Sequence, residues 1–318
     1  MSDLFSLSIE PELARKRDEI LAAQKHLLID QCDVSQSRRS FAEFTELLYA
    51  QAPELDIAVK ESAFGPVGRR TRGRLYEPKV VKSVIAFIHG GGWVTGSIAT
   101  HDHICRWLAV TTQSLVVSLE YSLAPEHVFP TAITETTFFL KDLLSAQDRL
   151  NVPLFVCGDS AGANIATMAI LALSVDECAL IAGFISIYGA YAPLMDLPSH
   201  AQFGDGRFGL SRERMLWFWS TYIPEGLSEG PSAFPPLHAD LTLFPSTLCI
   251  AAECDVLFDD SLAFDRHLRS TNVDSTLSIW RGLHHGAMHF VGIVSSVTTA
   301  AHSIITFISQ RRTQTSPC

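Results

Sequence analysis

The chain has 318 residues, 47% of them hydrophobic and 18% charged, with a formal net charge of -10. That composition excludes a disordered chain and suits a globule with a large core. The acidic balance, with no sustained Lys/Arg run, argues against nucleic-acid and anionic-membrane partners. The first residues, MSDLFSLSIEPELARKRDEI, carry charges where a signal peptide needs an apolar core. The longest apolar run, CALIAGFISIYGAYAPL, is broken by Gly and Pro, so no membrane span is expected. Seven irregularly spaced cysteines show neither zinc nor disulfide spacing, which points to a reducing, cytoplasmic setting.

Residues 1–50 read as mixed helices, closed by Pro53. The short cluster of Arg69, Arg70, Arg72 and Arg74 reads as a solvated edge. From about residue 73 onward, apolar runs alternate with amphipathic ones. SVIAFIHG, SLVVSLEY, PLFVCG, LIAGFISIYG, STLCIAAE and TLSIWRG read as strands. HDHICRWLAVTT, TAITETTFFLKDLL, AGANIATMAILAL, SLAFDRHLRS and SSVTTAAHSIITFI read as helices between and after them. This alternation predicts an α/β fold, with a mostly parallel sheet covered on both faces and ligands beyond the carboxyl ends of its strands. One domain over 1–318 is expected, with cap elements at about 1–50 and 190–240. The second of these is rich in Gly and Pro (Gly204, Gly206, Gly209, Pro224, Pro231, Pro235, Pro236) around the aromatic patch MLWFWSTY. Trp217, Phe218 and Trp219 in that patch either pack an inserted helix onto the body or line an acyl pocket.

Gly158-Asp159-Ser160-Ala161-Gly162 is G-x-S-x-G at a strand-to-helix junction, the context in which a serine stands exposed on a sharp turn. The glycines avoid clashes with neighbouring backbone, and the helix that follows aims its unpaired N–H groups at the serine. FIHGGGWVTGS follows another strand, and its glycines suit a backbone that must approach a ligand and offer donors. Gly91, Gly92 and Ala161 form the natural oxyanion set for acyl transfer. A serine hydroxyl needs a base, and the base needs a carboxylate, in the chain order Ser, acid, His. CDVLFDD offers Asp255, Asp259 and Asp260, and LHHGAMHF offers His284, His285 and His289. The histidine tract lacks metal-ligand spacing, so no metal is expected.

The chain resembles the hormone-sensitive-lipase-like branch of the α/β-hydrolases, and within it the bacterial acetyl esterases. The resemblance rests on HGGGW, THDHICRWLA, EYSLAPE, GDSAG, AAECDVLFDD and GLHHGAMHF, over roughly residues 75–310. It implies Ser160 as nucleophile, Asp255 as the triad acid in preference to Asp259 and Asp260, and His285 as base with His284 as its rival. It also implies Gly91, Gly92 and Ala161 as oxyanion donors, with Glu120 and Tyr121 holding the glycine loop. The implied reaction is hydrolysis of a small short-chain ester, without cofactor, through an acyl-enzyme. A histidine base predicts activity that falls as the pH drops through about 6–7. Trp93, beside the glycine loop, with Trp217 and Trp219, is expected to limit the acyl group to short chains. Amide hydrolysis, acyl transfer and a non-catalytic receptor remain open on the same fold.

Overall fold

The computed structural model describes residues 8–25, 33–226 and 235–314. Pro231 and parts of both expected cap segments (1–7, 26–32, 227–234) lie outside the described residues. The core is an eight-stranded sheet in the order β1-β2-β4-β3-β5-β6-β7-β8. Its strands are β1 (Ala58–Phe64), β2 (Thr71–Glu77), β3 (Ser83–Ile88), β4 (Ser114–Leu119), β5 (Leu154–Asp159), β6 (Ile181–Ile187), β7 (Thr247–Cys254) and β8 (Ser275–His284). From β4 across to β8 all neighbours are parallel, and only β2 runs against the rest. Strands β3 and β5 are buried at every position, which is why they read as unbroken apolar runs rather than alternating ones.

Helices cover both faces. Helices α3 (Asp102–Thr112) and α10 (Ser295–Gln314) pack together on one side; α4 (Thr131–Leu150), α5 (Ala161–Leu171) and α9 (Phe258–Ser270) lie on the other. Two short helices, α6 (Val175–Ala179) and α7 (Pro198–Gln202), flank β6, and α8 (Arg212–Tyr222) carries the aromatic patch. No described helix is long and apolar enough to cross a membrane.

The edge formed by β1 and β2 was not expected as a hairpin. Its outer strand has no buried residue. Cross-strand ion pairs dress it instead: Lys60–Glu77 at 2.6 Å and Arg74–Glu61 at 2.6 Å. Arg74 also reaches Asp102 on α3 at 2.9 Å. The arginine cluster is therefore a charged sheet edge, the kind that discourages edge-to-edge pairing.

At the N-terminal end, α1 (Pro11–Ala23) is capped by Glu10, whose carboxylate accepts from the N–H groups of Glu12 and Leu13 at 3.1 and 2.9 Å. The Glu10 N–H donates to Gly282 O at 2.8 Å, tying the helix to the end of β8. Helix α2 (Val34–Tyr49) starts on an Asp33 cap, and its first turns meet the glycine loop and α8. Arg38 on α2 donates to Val94 O at 2.8 Å, and Arg214 on α8 donates to Ser37 Oγ at 2.7 Å.

Candidate active site

Ser160 sits between β5 and α5 with φ 53° and ψ -122°. That left-handed backbone is strained for a residue with a side chain, and such strain persists only when the surroundings enforce it. They do so here. A Cβ on Gly162 would come within 2.1 Å of Ile88 O, and one on Gly158 within 2.6 Å of the Gly162 carbonyl. Only glycines let the turn close this tightly against β3. The Ser160 N–H donates to Ile187 O at 2.8 Å, which pins the turn to the end of β6.

Asp255 follows β7 and His285 follows β8. The structure brings both to the serine. His285 Nε2 lies 2.9 Å from Ser160 Oγ, and His285 Nδ1 lies 2.8 Å from Asp255 Oδ2. A carboxylate only accepts, so Nδ1 carries the proton and Nε2 presents its lone pair to the serine hydroxyl. Asp255 is buried, and its second oxygen accepts from Leu257 N–H at 2.9 Å, which fixes the carboxylate plane. The imidazole packs on Tyr188, ring centroids 4.8 Å apart.

The other candidates go elsewhere. His284 turns away and donates from Nδ1 to the His285 carbonyl. Asp259 accepts from Ser199 N–H at 2.8 Å. Asp260 is buried with His200, 2.6 Å from its Nε2, and also accepts from the N–H groups of Tyr191 and Ala192. Both aspartates thus anchor the segment that leads into α7 rather than reaching the imidazole.

The glycine loop lies alongside. Gly91 and Gly92 have φ of 119° and 59°. Gly90 N–H donates to Asp159 Oδ1 at 2.9 Å, Tyr121 Oη donates to His89 O at 2.9 Å, and Thr95 Oγ1 donates to Gly91 O at 2.8 Å. Glu120 accepts from Ile98 N–H at 3.2 Å. Among the described residues no acceptor takes the N–H of Gly91 or Gly92. Ala161 opens α5, where first-turn N–H groups have no partner within the helix.

Trp93 stacks on Tyr222 at 4.9 Å and meets Trp219 at 4.1 Å, and all three are buried. Trp217 is half-buried under the Arg214 guanidinium, 4.2 Å from its ring centroid. The aromatic ring against the loop is that of Phe218: a Cβ on Gly92 would meet it at 2.3 Å. The three consecutive aromatics project about 100° apart around a helix, and composition alone does not say which one faces the loop.

Under the loop lies a polar cluster that no single sequence motif announces: buried His89, His101, His289 and Asp159, with half-buried Tyr49. Burial pushes His89 and His289 down to about 3, and His284, beside the site, to about 4. These imidazoles stay neutral in the folded protein, whereas in the unfolded chain each takes up a proton near 6.5. Their contribution to stability is complete above that value and is lost as the pH falls from about 6.5 toward 3, for His284 toward 4. Three protons taken up only by the unfolded state give a slope of about 4 kcal/mol per pH unit. Urea midpoints should therefore drop steeply between pH 6.5 and 5. A midpoint unchanged over that interval would show these imidazoles to be charged in the fold.

A family model described as the α/β-hydrolase fold matches residues 85–289. The chain belongs to the α/β-hydrolase family. Within it, the hormone-sensitive-lipase-like branch is the one its motifs share. Among relatives of this hydrolase, the ethyl acetate hydrolase of Pseudomonas putida is 27% identical over 317 residues, covering 96% of this chain and 99% of that protein. The carboxylesterase NlhH of Mycobacterium tuberculosis is 34% identical over 239 residues, covering 71% of this chain and 74% of that one. A hyperthermophilic esterase from the archaeon Pyrobaculum calidifontis superposes on the hydrolase with a TM-score of 0.85 at 29% identity, over 95% of this chain and 98% of that one.

Proposed function

We propose that this carboxylic ester hydrolase cleaves small esters of short acyl groups through Ser160, His285 and Asp255. The observation that carries the reading is the unbroken relay from Ser160 Oγ through the imidazole to a buried carboxylate, at 2.9 and 2.8 Å. The name of the Pseudomonas putida relative, an ethyl acetate hydrolase aligned over nearly its whole length, supports the short acyl group.

In this mechanism Ser160 Oγ attacks the ester carbonyl carbon while its proton passes to His285 Nε2. Asp255 keeps Nδ1–H in place and stabilises the imidazolium. The carbonyl oxygen, now an oxyanion, receives the N–H groups of Gly91, Gly92 and Ala161. His285 returns the proton to the leaving alkoxide oxygen as the C–O bond breaks. Water then gives a proton to Nε2 and attacks the acyl carbon, and Ser160 departs reprotonated. The chemistry draws on side chains and backbone alone.

The cap assignment belongs to the same reading: α1 and α2 with residues 190–226 and 235–240 roof the site, joined by the Arg214–Ser37 bond. The five described cysteines are all unpaired and buried, which supports a reducing, cytoplasmic setting.

Phe218 is then the residue that limits the acyl group, since its ring fills the space against Gly92. Hydrolysis of p-nitrophenyl acetate, butyrate, hexanoate, octanoate and palmitate by wild type should decline with chain length. Phe218→Ala should raise the octanoate-to-acetate ratio of kcat/KM about tenfold or more. A ratio that stays constant in this variant would move the chain-length limit to other residues.

A further inference from the structure

We propose that His101, His289 and Asp159 together hold a divalent first-row transition-metal ion beneath the glycine loop. The three come from separate segments: the turn Ala99–His101, the end of β5 and the turn Ala287–Phe290. Their ligand atoms all lie within 4.8 Å of one another, and all three residues are buried. No ligand spacing within one tract of sequence records such a set.

The Thr100 hydroxyl faces Ser97 O at 3.0 Å and His101 Nδ1 at 2.9 Å; with its proton on the carbonyl it accepts the Nδ1–H of His101. The Tyr49 hydroxyl donates to Thr100 O at 2.8 Å, so it accepts the Nδ1–H of His289 at 2.7 Å. With both hydroxyl protons on the carbonyls, each imidazole carries its proton on Nδ1 and has a bare Nε2. His101 Nε2 is fully buried and makes no hydrogen bond, although Asp159 Oδ1 stands 3.4 Å away. Two lone pairs and a carboxylate thus converge where water does not reach, and each repels the others until a positive charge joins them.

A cation supplies that charge, and the spacing of the ligand atoms fits one. An imidazolium bonded to a carboxylate closes to about 2.7–2.9 Å. Two ligand atoms on a tetrahedral ion with bonds of 2.0–2.2 Å stand about 3.3–3.6 Å apart, and 3.4 Å falls in that interval. The widest pair closes by roughly 1 Å on binding. A metal-binding histidine anchored through its other N–H on an oxygen acceptor is the usual arrangement, and both histidines have it. Two imidazoles and one carboxylate suit Zn²⁺, Fe²⁺, Co²⁺ or Ni²⁺ better than Mg²⁺ or Ca²⁺. Asp159 also holds Gly90 N–H, so the ion braces the glycine loop from below without touching Ser160.

The test uses the full-length chain, stripped with chelator, equilibrated with Co²⁺ or Zn²⁺ and desalted before metal analysis. One ion per chain is expected, with a visible d–d spectrum for Co²⁺. His285→Ala should keep the ion, because the catalytic imidazole is not a ligand. His289→Gln and Asp159→Asn should bind at least tenfold more weakly while keeping native circular dichroism. Wild type that takes up no metal overturns the proposal, as does His285→Ala losing the ion or His289→Gln retaining it. Should both ligand variants unfold, ¹⁵N spectra of the wild-type imidazoles decide. A Zn²⁺-induced shift of His101 Nε2 supports the ion, and a His101 doubly protonated with and without Zn²⁺ overturns it.

Discussion

Ser160→Ala should remove esterase activity by about 10⁵-fold or more in kcat while leaving the fold intact. In a nucleophile–base–acid unit each member works only with the others, so loss of the nucleophile costs nearly as much as loss of all three. The residual rate, about 10³-fold over water, comes from the oxyanion donors and substrate binding, which the variant keeps. The fold should tolerate the change. Ser160 Oγ contributes only its contact with His285 Nε2, and the backbone bonds of the turn involve N–H and carbonyl groups that alanine retains. The strained φ of 53° persists with alanine in place, because a Cβ is already accommodated there. Side-by-side assays on p-nitrophenyl acetate and butyrate, with thermal melts of both proteins, check both halves. Wild-type turnover equal to that of the variant would assign any measured hydrolysis to another group.

Much of this fold was legible in the sequence, for one physical reason. Parallel strands covered on both faces are apolar at nearly every position, so β3, β5 and β7 announce themselves without periodicity. The serine turn was legible for a different reason. Gly158 and Gly162 are each forbidden a Cβ by backbone atoms close by, and few other local structures demand that pair. The polar hairpin was not legible. Residues such as Lys60, Glu61 and Arg74 gain their place by pairing across strands, and no local pattern records a cross-strand partner. The aromatic patch was legible as a helix but not as a surface, since whether Trp217, Phe218 or Trp219 meets Gly92 depends on the rotation of α8. The cluster of His101, Asp159 and His289 was invisible because 188 positions separate its ends. Sheet order alone brings these segments together.

Asp255→Asn should lower kcat by about 10⁴-fold, with KM little changed. The reason lies in the two partners of the carboxylate. Leu257 N–H at 2.9 Å requires an oxygen, so the amide of an asparagine presents its oxygen there and its NH₂ to His285 Nδ1. That NH₂ is a donor. It selects the tautomer protonated on Nε2, which faces the Ser160 hydroxyl with a proton of its own and takes none. The two neighbouring aspartates separate this effect from general damage to the turn. Asp260→Asn loses part of a buried three-bond anchor on Tyr191, Ala192 and His200, so it should cost about 3 kcal/mol or more in stability. Asp259→Asn keeps an oxygen for Ser199 N–H and should change little. Urea midpoints and kcat measured on all three variants therefore should not correlate. Asp255→Asn should be nearly inactive with a near-normal midpoint, and Asp260→Asn destabilised, with its folded fraction losing far less than 10⁴-fold in kcat. If Asp260→Asn, still folded, matched the kcat loss of Asp255→Asn, the carboxylate that orients His285 would have to be reassigned.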